Sequence, residues 1–573
     1  MIREMKFFRS ITVLCALAIF SIASVHSTVT TGQVKKSVDL RLKKERRSSL
    51  VGGKRTFAYD PSWVRTFYKR RSFLPVWISD GKLRADADEL LAVLRKAEGE
   101  GLNPADYSLA VIDSLIGTKN RVGDMDSASL ADLDVLLTNS FLHYASDLHS
   151  GRVNPRVVNE EWDIHPRETD LACVLQQALD STGIKQSLIR LCPARPEYDN
   201  LRKALAYYRS LPEMQDPGKL AGIRRLARGD SSRAVSVLRK RLAAWYPGID
   251  TESKVFDQAL EEAVEGFQKN HGIGPDGVVG KETMAALNRS REECAQQVVV
   301  NLERYRWLPD PSLERHIVVN IPSFELCVME NGIRVDGMRV VVGKSTHRTP
   351  LLSNAMTYIV FGPYWNVPQT IAAKEIVPQI IKNVSYLKKE NIKVFEKEGD
   401  DLSEVDPDSV DWTGAKRKNL RFRMEPGAKN SLGSIKFMFP NNNNVYLHDT
   451  PAKSLFSKCE RQFSHGCVRV EQPVQLAANL LARDTVWVKD EIRRASSRHG
   501  ERVVKLPEPI LVRLQYFTAW VDGDGTLQFR RDIYGWDDQV SKALRGIPVL
   551  KKRSGEGHFA SREIGKALST GVE

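Results

Sequence analysis

Two short strings hold the residue types for nucleophilic chemistry. They are Tyr446-Leu447-His448-Asp449-Thr450-Pro451 and Ser464-His465-Gly466-Cys467-Val468-Arg469-Val470, with fifteen residues between His448 and Ser464. A thiol is a poor nucleophile until it loses its proton, and an imidazole alongside can take that proton and steady the thiolate. Cys467 is therefore the candidate nucleophile and His448 its base. Gly466 lets the backbone turn tightly and lets a carbonyl approach, so the N–H groups of Gly466 and Cys467 are expected to form an oxyanion hole. Asp449 follows His448 directly. Adjacent residues on a strand point to opposite faces, which favours a backbone carbonyl over the Asp449 carboxylate as the group that orients the imidazole. Arg469 has two open roles, meeting a substrate carboxylate or holding the loop around Cys467. Tyr446, Tyr364 and Trp365 are candidate walls of a substrate cleft, with ordinary core packing the alternative. His143 and His149 lack a nearby Cys, Asp or Glu set to complete a metal site, so packing or surface roles are expected and no metal.

The flanking residues carry a resemblance. The string HGCVR, preceded at this distance by YLHDTP, resembles the active-site signature of the L,D-transpeptidases, whose catalytic domain is of the YkuD type. Gly362-Pro363-Tyr364-Trp365-Asn366-Val367-Pro368, Asn430-Ser431-Leu432-Gly433 and Lys436-Phe437-Met438-Phe439-Pro440-Asn441 are similar to strings of the large, multidomain YcbB-like branch. That branch can carry Ser where this chain has His465, while smaller relatives carry His. The resemblance therefore gives His465 at most a supporting place. It implies a tetrapeptide stem as acyl donor, release of D-alanine, and resolution of the acyl-enzyme by the side-chain amine of diaminopimelate on a neighbouring stem, giving a 3→3 cross-link. It implies peptidoglycan stem peptides and glycan as partners, with other wall-synthesis proteins as further candidates, and no metal, nucleotide or other cofactor. Two rivals stay open: an L,D-carboxypeptidase, in which water replaces the acceptor amine, and a wall-binding scaffold without activity.

These residues must be positioned by a β-rich unit. From His316 the hydrophobic period is two, through Ile317-Val318-Val319-Asn320-Ile321 and Phe324-Glu325-Leu326-Cys327-Val328 to an Asn331-Gly332 turn and Met338–Gly343. Asn-Gly between alternating runs is a strong hairpin signal. The catalytic domain is expected over 312–490, interrupted at 369–429 by a charged, helical segment that resembles a capping subdomain and reads as a mobile lid. Residues 55–225 show helical periodicity, and Tyr144–Pro155 resembles the scaffold region of the large branch. Residues 228–288 read as a three-helix unit: Val235, Leu238, Leu242 and Trp245 share one face, and Phe256, Leu260, Val264 and Phe267 another. This unit resembles a peptidoglycan-binding module, with a plain spacer the alternative. A C-terminal hairpin is expected over 503–536. Asp522–Thr526 mimics a calcium loop but has Ile533 at the twelfth position, so it reads as a turn. The expected class is an α+β multidomain protein: a β-rich catalytic domain with a helical cap, a helical scaffold and a small three-helix module.

A chain of 573 residues suits three or four domains, so burial is not limiting. Its 85 Lys and Arg against 71 Asp and Glu leave a net charge of +14, which attracts anionic polymers or headgroups. No zinc-finger, RRM or helix-turn-helix pattern supports nucleic acid as the partner. Residues 1–27 carry Arg3, Lys6 and Arg9 before an apolar stretch, which reads as an export signal; retained, it would be an inner-membrane tether. A periplasmic location follows. Residues 28–54 read as a flexible tether and 537–573 as a loose tail. The seven cysteines form no disulfide framework; Cys173 and Cys192 are either a bridge or two separate thiols, and Cys459, eight residues before Cys467, reads as an ordinary core or surface cysteine, with a redox partner of Cys467 the alternative.

Overall fold

The computed structural model describes residues 29–44 and 62–548, apart from 119–124, 161, 163, 165–166, 211–217, 244, 247, 400, 415–418, 483–485 and 499. The export segment, residues 45–54 of the tether and residues 549–573 lie outside the described residues.

The protein is α+β and multidomain. The candidate nucleophile Cys467 lies at the entry to a strand of a nine-stranded sheet built from β1 (His316–Asn320), β2 (Glu325–Glu330), β3 (Ile333–Gly343), β4 (Leu352–Phe361), β5 (Ile435–Met438), β6 (Leu447–His448), β7 (Gln462–Ser464), β8 (Val468–Val470) and β9 (Arg502–Gln515). The order is β7-β3-β8-β6-β5-β4-β9-β1-β2, and β3 also pairs with β2, which closes the sheet on itself. The β2–β3 turn is Asn331-Gly332, both at positive φ, as that hairpin chemistry requires. Side chains alternate across the strands, so Val340, Leu447, Val468 and Phe437 enter the core fully buried.

β9 corrects the expected boundary. It pairs with β4 and, in parallel, with β1, so residues 502–515 complete the catalytic sheet rather than a separate C-terminal hairpin. The hairpin proper is Ala519–Val521 with Leu527–Phe529, turning through Asp522–Thr526.

The insertion at 369–429 is also not simply helical. Short helices over 369–389 pack against a four-stranded sheet made from Trp365–Asn366, Ile392–Glu398, Asp401–Glu404 and Leu420–Met424. Their apolar residues form a separate small core that includes Ile376, Ile380, Leu387, Val394 and Phe422.

The scaffold is organised on the long helix Ser127–Ser150, whose first turn is capped by Asp126 accepting the Ser129 N–H. Gly151 ends it at φ +84°, and a Cβ there would lie 2.7 Å from Glu303 Oε1 and from the Trp307 ring. Only glycine permits both the turn and that approach. The helix Arg291–Arg306, opened by a Ser290/Glu293 capping box, locks the scaffold to the catalytic sheet. Its buried Glu303 accepts the Val153 N–H at 2.7 Å and pairs with Arg306 at 3.0 Å.

Two flexible segments were expected where the chain is ordered. Thr31–Lys44 is a helix with Val34, Val38 and Leu42 buried on the scaffold; Ser37 bonds Ser127 at 3.2 Å and Arg41 pairs with Asp132 at 3.1 Å. Apolar residues at i, i+4 and i+8 give this helix one buried stripe despite its polar composition. At the other end, Trp536–Leu544 is a helix with Trp536, Val540 and Ala543 buried, and Asp537 pairs with the buried Arg304 at 2.6 Å.

The unit at 228–288 holds helices Arg233–Leu242, Gln258–Asn270 and Lys281–Leu287 around a core of Val235, Leu238, Leu242, Phe256, Leu260, Val264 and Phe267. It is docked on the C-terminal hairpin. The His271 ring stacks 3.8 Å from Phe267 and 5.5 Å from Phe529, and Arg530 donates to the Asn270 carbonyl at 3.1 Å. Cys173 and Cys192 are both free: Cys173 is exposed beside Asp170, and the Cys192 thiol faces the Leu188 carbonyl. No helix among the described residues is long and apolar enough to cross a membrane.

Candidate active site

The site arises from strand register. β6 pairs in parallel with β8, Leu447 opposite Val468 and His448 opposite Arg469, and antiparallel with β5, Phe437 opposite Leu447 and Lys436 opposite His448. Since Phe437, Leu447 and Val468 fill the core, alternation sends Lys436, His448 and Arg469 to the other face. Tyr446 and Cys467 lie two residues before His448 and Arg469, at the entries to β6 and β8, and Val468 N–H bonds the Tyr446 carbonyl at 3.2 Å. Lys436, His448, Arg469, Tyr446 and Cys467 thus share one end of one face.

His448 is buried, with its Nδ1 2.5 Å from the Asp449 backbone carbonyl. A carbonyl only accepts, so Nδ1 carries the hydrogen and Nε2 keeps its lone pair. Burial, and then the Arg469 cation, push the imidazole down to about 3, so the ring is neutral and able to act as a base at neutral pH. The Asp449 carboxylate is engaged elsewhere. It accepts the Ser434 N–H and hydroxyl at 2.9 Å each and the Thr450 N–H at 2.7 Å, and it pairs with Lys453. Gly433, at φ +61°, makes room for it: a Cβ there would lie 2.4 Å from that carboxylate.

Cys467 is half-buried, with Sγ 3.9 Å from the Asn444 carbonyl. Burial pushes its thiol up, while hydrogen bonding with Tyr446 and the Lys436 and Arg469 cations pull it back down. The turn before it is tied from several sides. Gly466 sits at φ +119°. Ser464 Oγ accepts the Gly466 N–H at 3.1 Å and donates to the Cys467 carbonyl at 2.5 Å. The Gly466 N–H is therefore occupied, which corrects its expected place in an oxyanion hole and leaves the Cys467 N–H as the candidate donor there.

Two residues of this support carry no signal in the sequence. Buried Thr349 donates to the Gly466 carbonyl at 2.7 Å and accepts the Gly343 N–H at 2.9 Å. Tyr534, from the C-terminal segment, donates to the Gly343 carbonyl at 2.8 Å and accepts the Thr349 N–H at 3.1 Å. The contacts of Thr349 with Gly466 and of Tyr534 with Thr349 and Gly343 span 117, 185 and 191 residues of chain, beyond the reach of any local pattern.

The other candidates fall in different places. His465 turns to the cap, its Nε2 2.7 Å from Glu375 Oε1 and its ring 5.1 Å from that of His347. Arg469 is half-buried, and its Nε lies buried without a hydrogen-bond partner among the described residues. Tyr446 carries the Lys436 ammonium 4.1 Å from its ring centre and lies 5.7 Å, ring to ring, from His448. Trp365 packs into the cap core, and Tyr364 takes the Arg423 guanidinium over its ring at 5.5 Å while its N–H donates to Glu501 at 3.1 Å. Among the described residues, no group of three or more His, Cys, Asp or Glu could hold a metal ion.

The sheet carries the carbonyl-oriented His448 on β6 and Cys467 at the entry to the neighbouring β8, and a small helical unit is docked on the C-terminal hairpin. Residues 314–488 match the model of the L,D-transpeptidase catalytic domain, residues 231–287 the "Putative peptidoglycan binding domain" and residues 62–205 the "Scaffold domain". The chain combines a YkuD L,D-transpeptidase catalytic domain with a peptidoglycan-binding domain and a scaffold domain. It is similar to a protein of Haemophilus influenzae described as "Putative L,D-transpeptidase", 33% identical over 260 residues, which are 45% of this chain and 51% of that relative. The match spans about half the length of the relative. Among solved structures, the L,D-transpeptidase of Xylanimonas cellulosilytica is 18% identical, covering 52% of this chain and all of that one, with a TM-score of 0.17. A fused Zn-dependent amidase/peptidase/peptidoglycan-binding protein of Clostridium acetobutylicum is 12% identical, covering 51% and 99%, with a TM-score of 0.14. At those scores neither bears on the fold.

Proposed function

We propose that the protein is an exported, periplasmic L,D-transpeptidase that forms 3→3 cross-links in peptidoglycan through a Cys467 acyl-enzyme and so serves cell-wall biogenesis and cell shape. The observation that carries the reading is the register of β5, β6 and β8, which gathers Lys436, His448 and Arg469 with Tyr446 and Cys467 on one face.

His448 Nε2 takes the thiol proton as Sγ attacks the amide carbonyl of a donor stem. An S–C bond forms, and the Cys467 N–H faces the developing oxyanion. When the tetrahedral carbon collapses, the C–N bond to D-alanine breaks and His448 returns its proton to the leaving amine. An acceptor amine then attacks the thioester, His448 takes the proton it sheds, and the thiol is regenerated. The docked module supports the reading by holding the enzyme on an insoluble polymer.

Incubation with purified tetrapeptide donor and acceptor stems, read by mass spectrometry, tests this. Cross-linked dimer and free D-alanine are expected. Tripeptide dominating at saturating acceptor would replace the proposal with an L,D-carboxypeptidase, and absence of any product would favour a wall-binding scaffold.

A further inference from the structure

The cap sets a carboxylate against the turn that holds Cys467. His465 Nε2 lies 2.7 Å from Glu375 Oε1, and only Gly466 separates His465 from Cys467 in the chain. Two residue steps span at most about 7 Å, so the backbone that carries this carboxylate contact also carries the thiol. The turn is held in place: the Lys344 N–H donates to the Ser464 carbonyl at 3.0 Å, and Thr349 Oγ1 donates to the Gly466 carbonyl at 2.7 Å. On the cap side, Glu375 rides on a π-helical turn, Ala372–Ile376, whose two end residues are buried in the cap core. Such wide turns are rare and recur at functional sites.

The surroundings of the pair favour an anion. The His347 ring lies 5.1 Å from that of His465, and its Nδ1 is 3.1 Å from Thr346 Oγ1. Burial lowers the His347 imidazole, and His465, Lys374 and Lys344 lower it further, with Glu375 acting the other way. Three cationic or titratable side chains thus act there against one carboxylate. Both members of the His465–Glu375 pair are partly exposed, and pairs of that kind are weak. A carboxylate brought in by a substrate can take the place of Glu375.

We propose that His465 is a specificity-determining residue that binds a carboxylate of the donor stem peptide, and that Glu375 is its internal placeholder, released as the donor enters. The inference rests on the stem peptide being the donor to Cys467, and it names what that donor must carry. In that reading the leaving D-alanine ends in a carboxylate one residue, about 3.5 Å, beyond the attacked carbonyl, which is within the span of this turn. The diaminopimelate side chain offers a second carboxylate. Competition for one imidazole links the two events: an empty cleft holds the cap by this contact, and a filled one does not.

Calorimetry on the full chain carrying Cys467→Ala reads donor binding without turnover. The probes are a synthetic tetrapeptide stem as the free acid, the same stem as its C-terminal amide, and a stem with lysine in place of diaminopimelate. His465→Gln in that background should weaken the free acid about tenfold, the share of one hydrogen bond to a charged group. It should leave one of the other two stems unchanged: the amide where the terminal carboxylate is bound, the lysine stem where the side-chain carboxylate is. Glu375→Ala should tighten the free acid about two- to fivefold, because a partly exposed pair no longer competes. His465→Ser gives the same comparison should the Gln variant not fold. No loss with the free acid, or equal losses on all three stems, overturns the proposal, and so does weaker binding of the free acid in Glu375→Ala. A chain that binds none of the three stems would instead overturn the parent reading, so the two failures are distinct.

Discussion

At the scale of single residues, the account turns on a thiol and an imidazole whose roles differ sharply in what their loss should do. Cys467→Ala is expected to abolish turnover, while His448→Ala should lower kcat by about 10²–10⁴-fold, the usual share of a general base; steady-state kinetics on stem peptides checks both. Thr349→Val is the corresponding test of support. It leaves the Gly466 carbonyl and the Gly343 N–H short of a partner in a buried place, which costs about 1–3 kcal/mol. Thermal melting should show the loss, with kcat falling as the Cys467 turn loosens. The two candidate strings stand out in the sequence because His-Asp-Thr-Pro and His-Gly-Cys-Val-Arg are local and dense in chemistry. The preference for a backbone carbonyl over the Asp449 carboxylate followed from strand alternation, and the Asp449 carbonyl is what His448 meets. The Gly466 N–H is taken up by Ser464, whose hydroxyl folds back onto it through a turn that no local residue pattern signals.

At the scale of elements, the cap touches the catalytic turn through His465 and Glu375. Both side chains are partly exposed, so this contact is worth at most about 1 kcal/mol, weak enough to open on each cycle. Glu375→Ala should therefore raise hydrogen exchange across 369–389 several-fold without changing the melting temperature of the catalytic sheet. Unchanged exchange would mean the contact does not hold the cap. The cap's strands escaped the sequence reading because Ile392–Glu398 and Asp401–Glu404 are charged on their exposed positions and lie on a small core of their own. The helix Thr31–Lys44 escaped for a related reason: Val34, Val38 and Leu42 form a stripe only one residue wide, hidden among Lys, Ser and Thr. By contrast, β1 to β3 were plain from their period and the Asn331-Gly332 turn.

At the scale of the whole molecule, the three-helix unit at 228–288 is packed on the C-terminal hairpin rather than strung beside it. Its helical periodicity signals three helices, but nothing local reveals that Phe529 and Arg530 receive it. The joint has a pH dependence of known sign. Burial holds His271 down at about 3, with Arg289 and Arg530 further opposing its charge. Its contribution to stability is intact above the ordinary histidine pKa of about 6.5 and is lost as pH falls toward 3. Hydrogen exchange at residues 267–271 and 528–530 should accelerate between pH 6 and 4, and His271→Phe should flatten that rise. The central claim, however, is that these units deliver a stem peptide to one sulfur. Intact-protein mass spectrometry after rapid mixing with a tetrapeptide donor, followed by peptide mapping, tests it most directly. The account predicts an adduct of the donor less D-alanine on Cys467, absent in Cys467→Ala; turnover without that adduct, or an adduct on Cys459 in its place, would contradict it.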